Sequence, residues 1–317
     1  EEVEGAPGDL PEARLAEHDG GDEESGDRDG VPVGVDRPVD AGPAALPAPL
    51  DREAVVLGVG VLAPEEAPGL GVEHAVLEPR KDARRHVAIA PGAQALVRLP
   101  MLQRLRDQSA GLNTACFISG YRGSPVHNVD RELWRARKFL SKHHIQFQPA
   151  VNEDLAVTSI WGSQQAGVQP DAKFDGVYAM WYGKGPGLDR SMDALRHANL
   201  VGTSKHGGVL AVGGDDHGMK SSDVRATCEP TFIDLQMPIL YPANVQEVLD
   251  LGLYGWAMSR FCGAWVGFKI VADAVDASAS VHVDPHRVEI VIPNDVQFPP
   301  DGVNLRIPDL WTDQEPR

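Results

Sequence analysis

Residues 111–125 read GLNTACFISGYRGSP, and this stretch decides the fold. The run TACFIS (114–119) is short, apolar and rich in strand formers, and the Gly/Pro turn GYRGSP ends it. Upstream, Ala95, Leu96, Leu99, Leu102 and Leu105 recur every three or four residues, which predicts an amphipathic helix despite Pro100. Downstream, residues 130–142 read as a helix and 145–148 as a brief strand. Asn152 can cap a helix running to about residue 166. The pattern then repeats. Strands are expected at 176–181, 207–212, 238–240 and 264–270, and helices at 192–201 and 245–261, with one more strand at 288–292. The segments GKGPGLDRS (183–191) and GGDDHGMKSS (213–222) read as loops. Alternating strands and helices imply a parallel sheet covered on both faces, so the expected fold class is α/β, doubly wound and mainly parallel. In such open sheets ligands sit beyond the carboxyl ends of strands. The Gly-rich loops after Ser119, Trp181 and Val212 all fall at such ends.

The chain has 317 residues and a formal net charge of −17, but that charge is unevenly spread. Residues 1–90 hold 21 acidic and 8 basic residues, a net of −13. They contain no Phe, Trp, Tyr, Met, Cys, Asn, Gln or Thr. Apart from Ser25, Lys81 and Ile89, they use only residue types whose codons begin with G or C. A GC-rich gene read in a wrong frame gives this texture, and so does an acidic, Pro/Gly-rich disordered segment. Both readings predict no stable core there, and no function attaches to the apolar run at 54–62. The expected organisation is therefore a low-complexity segment over 1–90, one domain over 91–284, and a linker over 285–317.

Net acidity argues against nucleic-acid binding, which needs clustered Lys and Arg. Cys116, Cys228 and Cys262 are widely spaced and form no CxxC pair. They support neither a disulfide framework nor a zinc or iron–sulfur site, and they fit a reducing compartment. No apolar run reaches the roughly 18 residues of a membrane helix, and the first thirty residues do not resemble a secretory signal. A cytoplasmic location is expected.

Several residues could carry chemistry. Glu153 and Asp154 open a helix directly after a strand, where a carboxylate meets the positive end of the helix dipole. A capping acid is the alternative reading. Asp215, Asp216 and His217 bring two carboxylates and an imidazole to a strand end. That suits a polar loop beside a ligand pocket, or a metal-dependent hydrolase if further ligands join. GKGPG (183–187) lacks the spacing of a phosphate loop, so its glycines more plausibly let backbone approach a ligand or another chain. Trp161, Trp181 and Trp256 read as core or interface residues. A third reading takes the Gly-rich loops as contact surfaces of a non-catalytic, partner-binding module.

Five segments occur in order: GAQALVRLPMLQRLRD, GLNTACFISGYRGSP, FQPAVNEDLAVTSIWGSQQ, MWYGKGPGLDR and HGGVLAVGGDDHGMKSS. Together they resemble the N-terminal part of the fused indolepyruvate ferredoxin oxidoreductases, within the 2-oxoacid:ferredoxin oxidoreductase family. The resemblance spans about residues 91–308. It implies the pyrimidine-binding domain of a thiamine diphosphate enzyme, oxidising 2-oxoacids to acyl-coenzyme A with electrons passed to ferredoxin. It places Glu153 where the family keeps the glutamate that hydrogen-bonds the aminopyrimidine ring and activates the cofactor. It assigns Gly120, Tyr121, Arg122, Gly123, Ser124, Pro125 and Asn152 to cofactor binding. It also puts Lys184, Asp215, Asp216, His217, Lys220 and Ser221 in loops near the substrate. The GDG…N pattern for magnesium and diphosphate is absent here, as is the cysteine cluster for iron–sulfur centres. The resemblance therefore implies an incomplete chain, inactive alone. Its partners would be the remaining domains or subunits, coenzyme A, ferredoxin and a small 2-oxoacid, within a homo-oligomer.

Overall fold

The computed structural model describes residues 87–220, 225–300 and 302–305. The expectations for residues 1–86 and for Ser221 lie outside them. The first described element is a strand, β1 (Val87–Pro91), followed by the long helix α1 (Gly92–Ser109) and strand β2 (Thr114–Gly120). Next come α2 (Val129–Lys142), β3 (Ile145–Phe147), α3 (Glu153–Gln164) and β4 (Gly176–Lys184). Helices α4 (Gly185–Arg190) and α5 (Met192–Val201) lead to β5 (Val209–Asp215). The chain continues through α6 (Cys228–Asp234), β6 (Ile239–Leu240), α7 (Val245–Cys262) and β7 (Val266–Val271). It closes with α8 (Ala272–Asp276) and β8 (Ser278–His282).

Six strands form one parallel sheet in the order β3-β2-β4-β5-β7-β6. The expected α/β, mainly parallel fold is what is found. From β2 the chain moves outward to β3, then crosses back over β2 through α3 to reach β4, and winds the other way thereafter. The winding reverses between β2 and β4, and such a switch point opens a crevice at the carboxyl ends of its strands. Alternation along each strand divides the core. Cys116, Ile118, Tyr178, Met180, Leu210 and Val212 pack with α1, α2 and α7, whereas Phe117, Ala179, Trp181, Val209 and Ala211 pack with α3, α5 and α6. Trp256 reaches from α7 to donate its indole N–H to the Ala179 carbonyl at 3.0 Å.

Some expectations need correcting. Residues 183–191 are not a loop, because β4 runs on to Lys184 and α4 begins at Gly185. Pro186 lies in the first turn of α4, where its fixed φ suits a helix and its missing N–H costs nothing. β5 likewise runs through Asp215, which places the first aspartate of the DDH cluster inside the sheet. Residues 288–292 form no strand. The Arg106 guanidinium instead takes the carbonyls of Pro285 and Val288, at 2.6 and 3.1 Å, so the segment lies along α1. Val87–Pro91, expected at the end of the low-complexity segment, pairs antiparallel with β8 in a separate two-stranded sheet. No helix among the described residues is long and apolar enough to cross a membrane.

The amino ends of the strands are held by a buried ion pair. Arg260 at the end of α7 donates twice to Asp107 at the end of α1, at 2.7 and 2.9 Å, while Gln103 and Thr114 supply two more hydrogen bonds. Arg260→Ala leaves Asp107 buried without its counter-charge, an effect of about 3 kcal/mol. We expect a thermal midpoint lowered by several degrees with the helical signal retained, measured by circular dichroism.

His143, at the end of α2, is held down to about 4, first by burial and then by the charges of Arg98, Arg104, Lys142 and His144. Between its ordinary 6.5 and about 4 the unfolded chain takes up a proton that the folded chain refuses, so stability falls as pH drops through that window. With a discount for its partial exposure, the loss is roughly 1 kcal/mol. In urea titrations between pH 7 and 4, His143→Gln should flatten the acid limb by that amount.

Candidate functional site

The site is built on the first turn of α3. Asn152 adopts an extended backbone and its side-chain oxygen accepts from the Leu155 amide at 2.9 Å, which fixes where the helix begins. Glu153 is therefore the first helical residue, and it is 5% exposed. Its side chain turns inward across the carboxyl end of β4. A Cβ on Gly187, in α4, would stand 2.3 Å from Glu153 Oε1 and 2.6 Å from its Cγ. A Cβ on Gly183 would stand 2.7 Å from the Trp181 ring and 3.5 Å from Glu153 Cγ. The indole N–H of Trp181 donates to the Glu153 carbonyl at 3.2 Å, which ties the helix start to the strand. Next door, Asp154 points outward to Arg190 at 2.9 Å. Two adjacent acids thus have opposite fates, one paired at the surface and one pressed into the sheet's edge.

The turn after β2 lies over the same edge. Gly120 sits where any Cβ would collide with Tyr182, and the Tyr121 amide donates to the Tyr182 carbonyl at 3.0 Å. Gly123 lies against the Lys184 side chain, and Pro125, after a cis peptide bond, lies against Gly214. Ser124 faces Asp216. Arg122 is exposed on the outer side of the turn, where its charge acts on Asp130 and Tyr182. Those two share a short hydrogen bond from the phenol to the carboxylate. Burial raises Asp130 against the pull of Tyr182 and Arg122. The turn after β2, the junction of β4 with α4 and the end of β5 therefore meet at one place, with Glu153 beside it.

The remaining candidates separate. Asp215 is 1% exposed and points under the sheet's edge. One oxygen accepts from the Cys228 thiol at 2.9 Å, and the other meets Lys269 Nζ and the Cys228 amide, both at 3.1 Å. Lys269 also binds Glu229, and its ammonium lies 4.7 Å from the Tyr241 ring centre. Asp215 is thus committed to joining β5, β7 and α6. Asp216 begins a surface turn. Burial pulls its carboxyl upward, but hydrogen bonds from Ser124, Lys220 and Gly218 and the Lys220 charge outweigh this and hold it below the usual range. His217 is exposed, and Lys220 pairs with Asp276 at 2.9 Å. Among the described residues no group of three His, Cys, Asp or Glu could hold a metal ion. The hydrolase reading thereby loses its first acid and its metal site. Sequence reasoning passed over Trp181, Gly187 and Arg190 as neighbours of Glu153. The only available signal was the pair of glycines four apart, Gly183 and Gly187.

No known family matches the chain, and no curated protein does. Solved structures do. One is "2-oxoglutarate:ferredoxin oxidoreductase from Magnetococcus marinus with 2-oxoglutarate, coenzyme A and succinyl-CoA bound", at TM-score 0.51 and 16% identity. The match covers 74% of this chain and 40% of that one, so this chain spans about two-fifths of that protein's length. Identity this low establishes a shared fold alone: a parallel six-stranded α/β sheet.

The two glycines facing Glu153 should respond differently to alanine. At Gly187 the obstacle is the end of a flexible side chain, so the carboxylate moves aside and the fold survives. At Gly183 the obstacle is a buried indole, so strain of about 1–3 kcal/mol follows. Thermal unfolding should show a drop of several degrees for Gly183→Ala and a much smaller one for Gly187→Ala. A crystal structure of the latter should show Glu153 in another rotamer.

Proposed function

We propose that residues 91–284 are the pyrimidine-binding domain of a thiamine diphosphate-dependent 2-oxoacid:ferredoxin oxidoreductase of the indolepyruvate type, with Glu153 as its cofactor-activating residue. The observation that carries this is the burial of one carboxyl group at the carboxyl edge of a parallel sheet, where two glycines admit it and the β2 turn, the β4–α4 junction and the end of β5 meet. The shared fold with a 2-oxoacid:ferredoxin oxidoreductase supports the reaction class, and the ordered sequence segments support the aryl 2-oxoacid.

The residues present fit the pyrimidine side of the cofactor. A ring nitrogen needs a carboxyl group that is fixed and shielded from water. The Asn152 cap and the Trp181 hydrogen bond fix Glu153, and Trp181, Gly183 and Gly187 shield it. Thiamine diphosphate, when bound, supplies the nucleophilic carbon that adds to the 2-oxoacid and the electron sink that follows decarboxylation. Glu153 would hold a proton between its carboxyl group and that ring nitrogen, in the manner of a general acid–base. Gly120, Tyr121, Gly123, Ser124 and Pro125 would form the floor beside the ring, with Asn152 acting through α3. Arg122 and Lys184 are the cations at the edge that suit an anionic substrate. Asp216, His217 and Lys220 belong to the flanking loop, and Asp215 supports that loop from beneath; Ser221 is kept as a substrate-loop residue on the sequence resemblance alone.

In this reading magnesium, the diphosphate and the iron–sulfur clusters are held by other domains or subunits, and ferredoxin and coenzyme A engage the assembled enzyme. That enzyme would be a cytoplasmic homo-oligomer, and this chain alone would not turn over. Tyr121, Val151 and Leu155, which are 37%, 63% and 50% exposed around the site, would be covered by the domain that completes it.

Glu153→Gln in the complete enzyme keeps size and packing but removes the carboxyl proton site. Deuterium exchange at the reactive thiazolium carbon should slow by at least two orders of magnitude, with thiamine diphosphate affinity changed less than tenfold. A near-normal exchange rate would remove Glu153 from the mechanism and the proposal with it.

A further inference from the structure

A concave site lies at the end of the sheet opposite Glu153. It is a cleft of about 700 Å³, within the range of small-molecule sites. Its walls are the last turns of α1 and α7, the turn before β5, and the extended segment beyond β8. All of these lie at the amino ends of the parallel strands, so the cleft is separate from Glu153. Its inner surface is mostly apolar. Leu253, Ala257 and Phe261 of α7 face Ile290, Ile292 and Phe298 of the extended segment. Phe261 and Phe298 meet edge to face, with ring centres 5.2 Å apart.

The rim has the opposite chemistry. Arg106, Lys205, His206, Arg260 and His286 all border the cleft, and Asp107 is the single acid among the lining residues. Both oxygens of Asp107 are taken by Arg260, so that acid leaves nothing for the other cations. Arg106 has only the neutral carbonyls of Pro285 and Val288. Among the described residues no acid pairs with Lys205. His206 is held below its usual value, first by burial and then by Arg260 and Lys205, with Asp175 and Asp107 opposing. Lys205 and Arg106 thus leave unmatched positive charge at the rim of an aromatic and aliphatic interior, which suits an anionic ligand with an apolar body.

We propose that this cleft binds an amphipathic organic anion, a carboxylate on an aromatic or branched aliphatic body, with the carboxylate at Lys205 and Arg106 and the body between α7 and residues 290–298. The site goes beyond the proposed function and does not rest on it. The segment after β8 already lies against α7, so the ligand's body would be held between the two.

The test is fluorescence titration of the 317-residue chain with 8-anilinonaphthalene-1-sulfonate, then displacement by 4-phenylbutyrate and by its uncharged amide. The expected result is saturable one-site binding, displaced by the acid at least tenfold more effectively than by the amide. Thiamine diphosphate should not displace it. Lys205→Glu, a surface change, should weaken the acid at least tenfold, and Ala257→Trp should fill the cleft and abolish binding. If Ala257→Trp does not fold, Lys205→Glu decides alone. Absent saturation, equal competition by the amide, unchanged affinity in Lys205→Glu, or displacement by thiamine diphosphate would each overturn the proposal. The last outcome would place the probe at the Glu153 edge and leave the proposed function standing.

Discussion

The crossing of α3 over β2 is the constraint from which the rest of the molecule follows. A helix that leaves the edge strand β3 and returns to β4 must start at the carboxyl end of the sheet, close above β2 and β4. Its first residue is then forced toward the neighbouring strand ends, and only small residues there leave room for a side chain. Gly183 and Gly187 provide that room, and Glu153 fills it. A larger residue at Gly183 would meet the Trp181 ring, and one at Gly187 would displace the Glu153 carboxylate itself. Topology, capping and the placing of one acid are here a single fact seen at three scales.

The same logic divides the charged residues into those that hold the sheet and those that remain for chemistry. At the amino edge Asp107 and Arg260 tie α1 to α7. At the carboxyl edge Lys269 joins Asp215 and Glu229, so β5, β7 and α6 move together. Ion pairs buried this deeply contribute little net stability over an apolar alternative, but each punishes misalignment because an unmatched partner is costly. The carboxyl-edge pair fixes the end of β5, which lies beside the Glu153 edge. Glu153 lies outside these networks, its carboxyl group pressed against Gly187.

Much of this was legible in the sequence. TACFIS reads as a strand because both of its faces are buried in apolar surroundings, and α7 reads as a helix because its apolar positions recur at helical spacing. Asn152 announces the start of α3 by its residue type. Other elements were silent for physical reasons. β1 and β8 are short, with exposed and buried positions in a pattern that small residues such as Ala and Ser make faint. α4 contains two glycines and a proline, which signal a turn, and its packing against α3, α5, α6, β4 and β5 could not be read locally. The commitment of Asp215 could not be read locally, because Lys269 comes from a distant strand. The inward turn of Glu153 was indicated by family resemblance and not by any pattern of its own, since Asp154 beside it has the same charge and the opposite fate.

The pairing of β1 with β8 places Val87 beside His282, so the first strand among the described residues pairs with the last. On a ribosome the earlier strand emerges with no partner and must wait until nearly the whole sheet has been synthesised. During that interval its one row of apolar side chains is open to chaperones or to a neighbouring nascent chain. The clasp can close only once everything between has folded and brought its ends together, which makes it a seal on a finished domain and not a seed for a growing one.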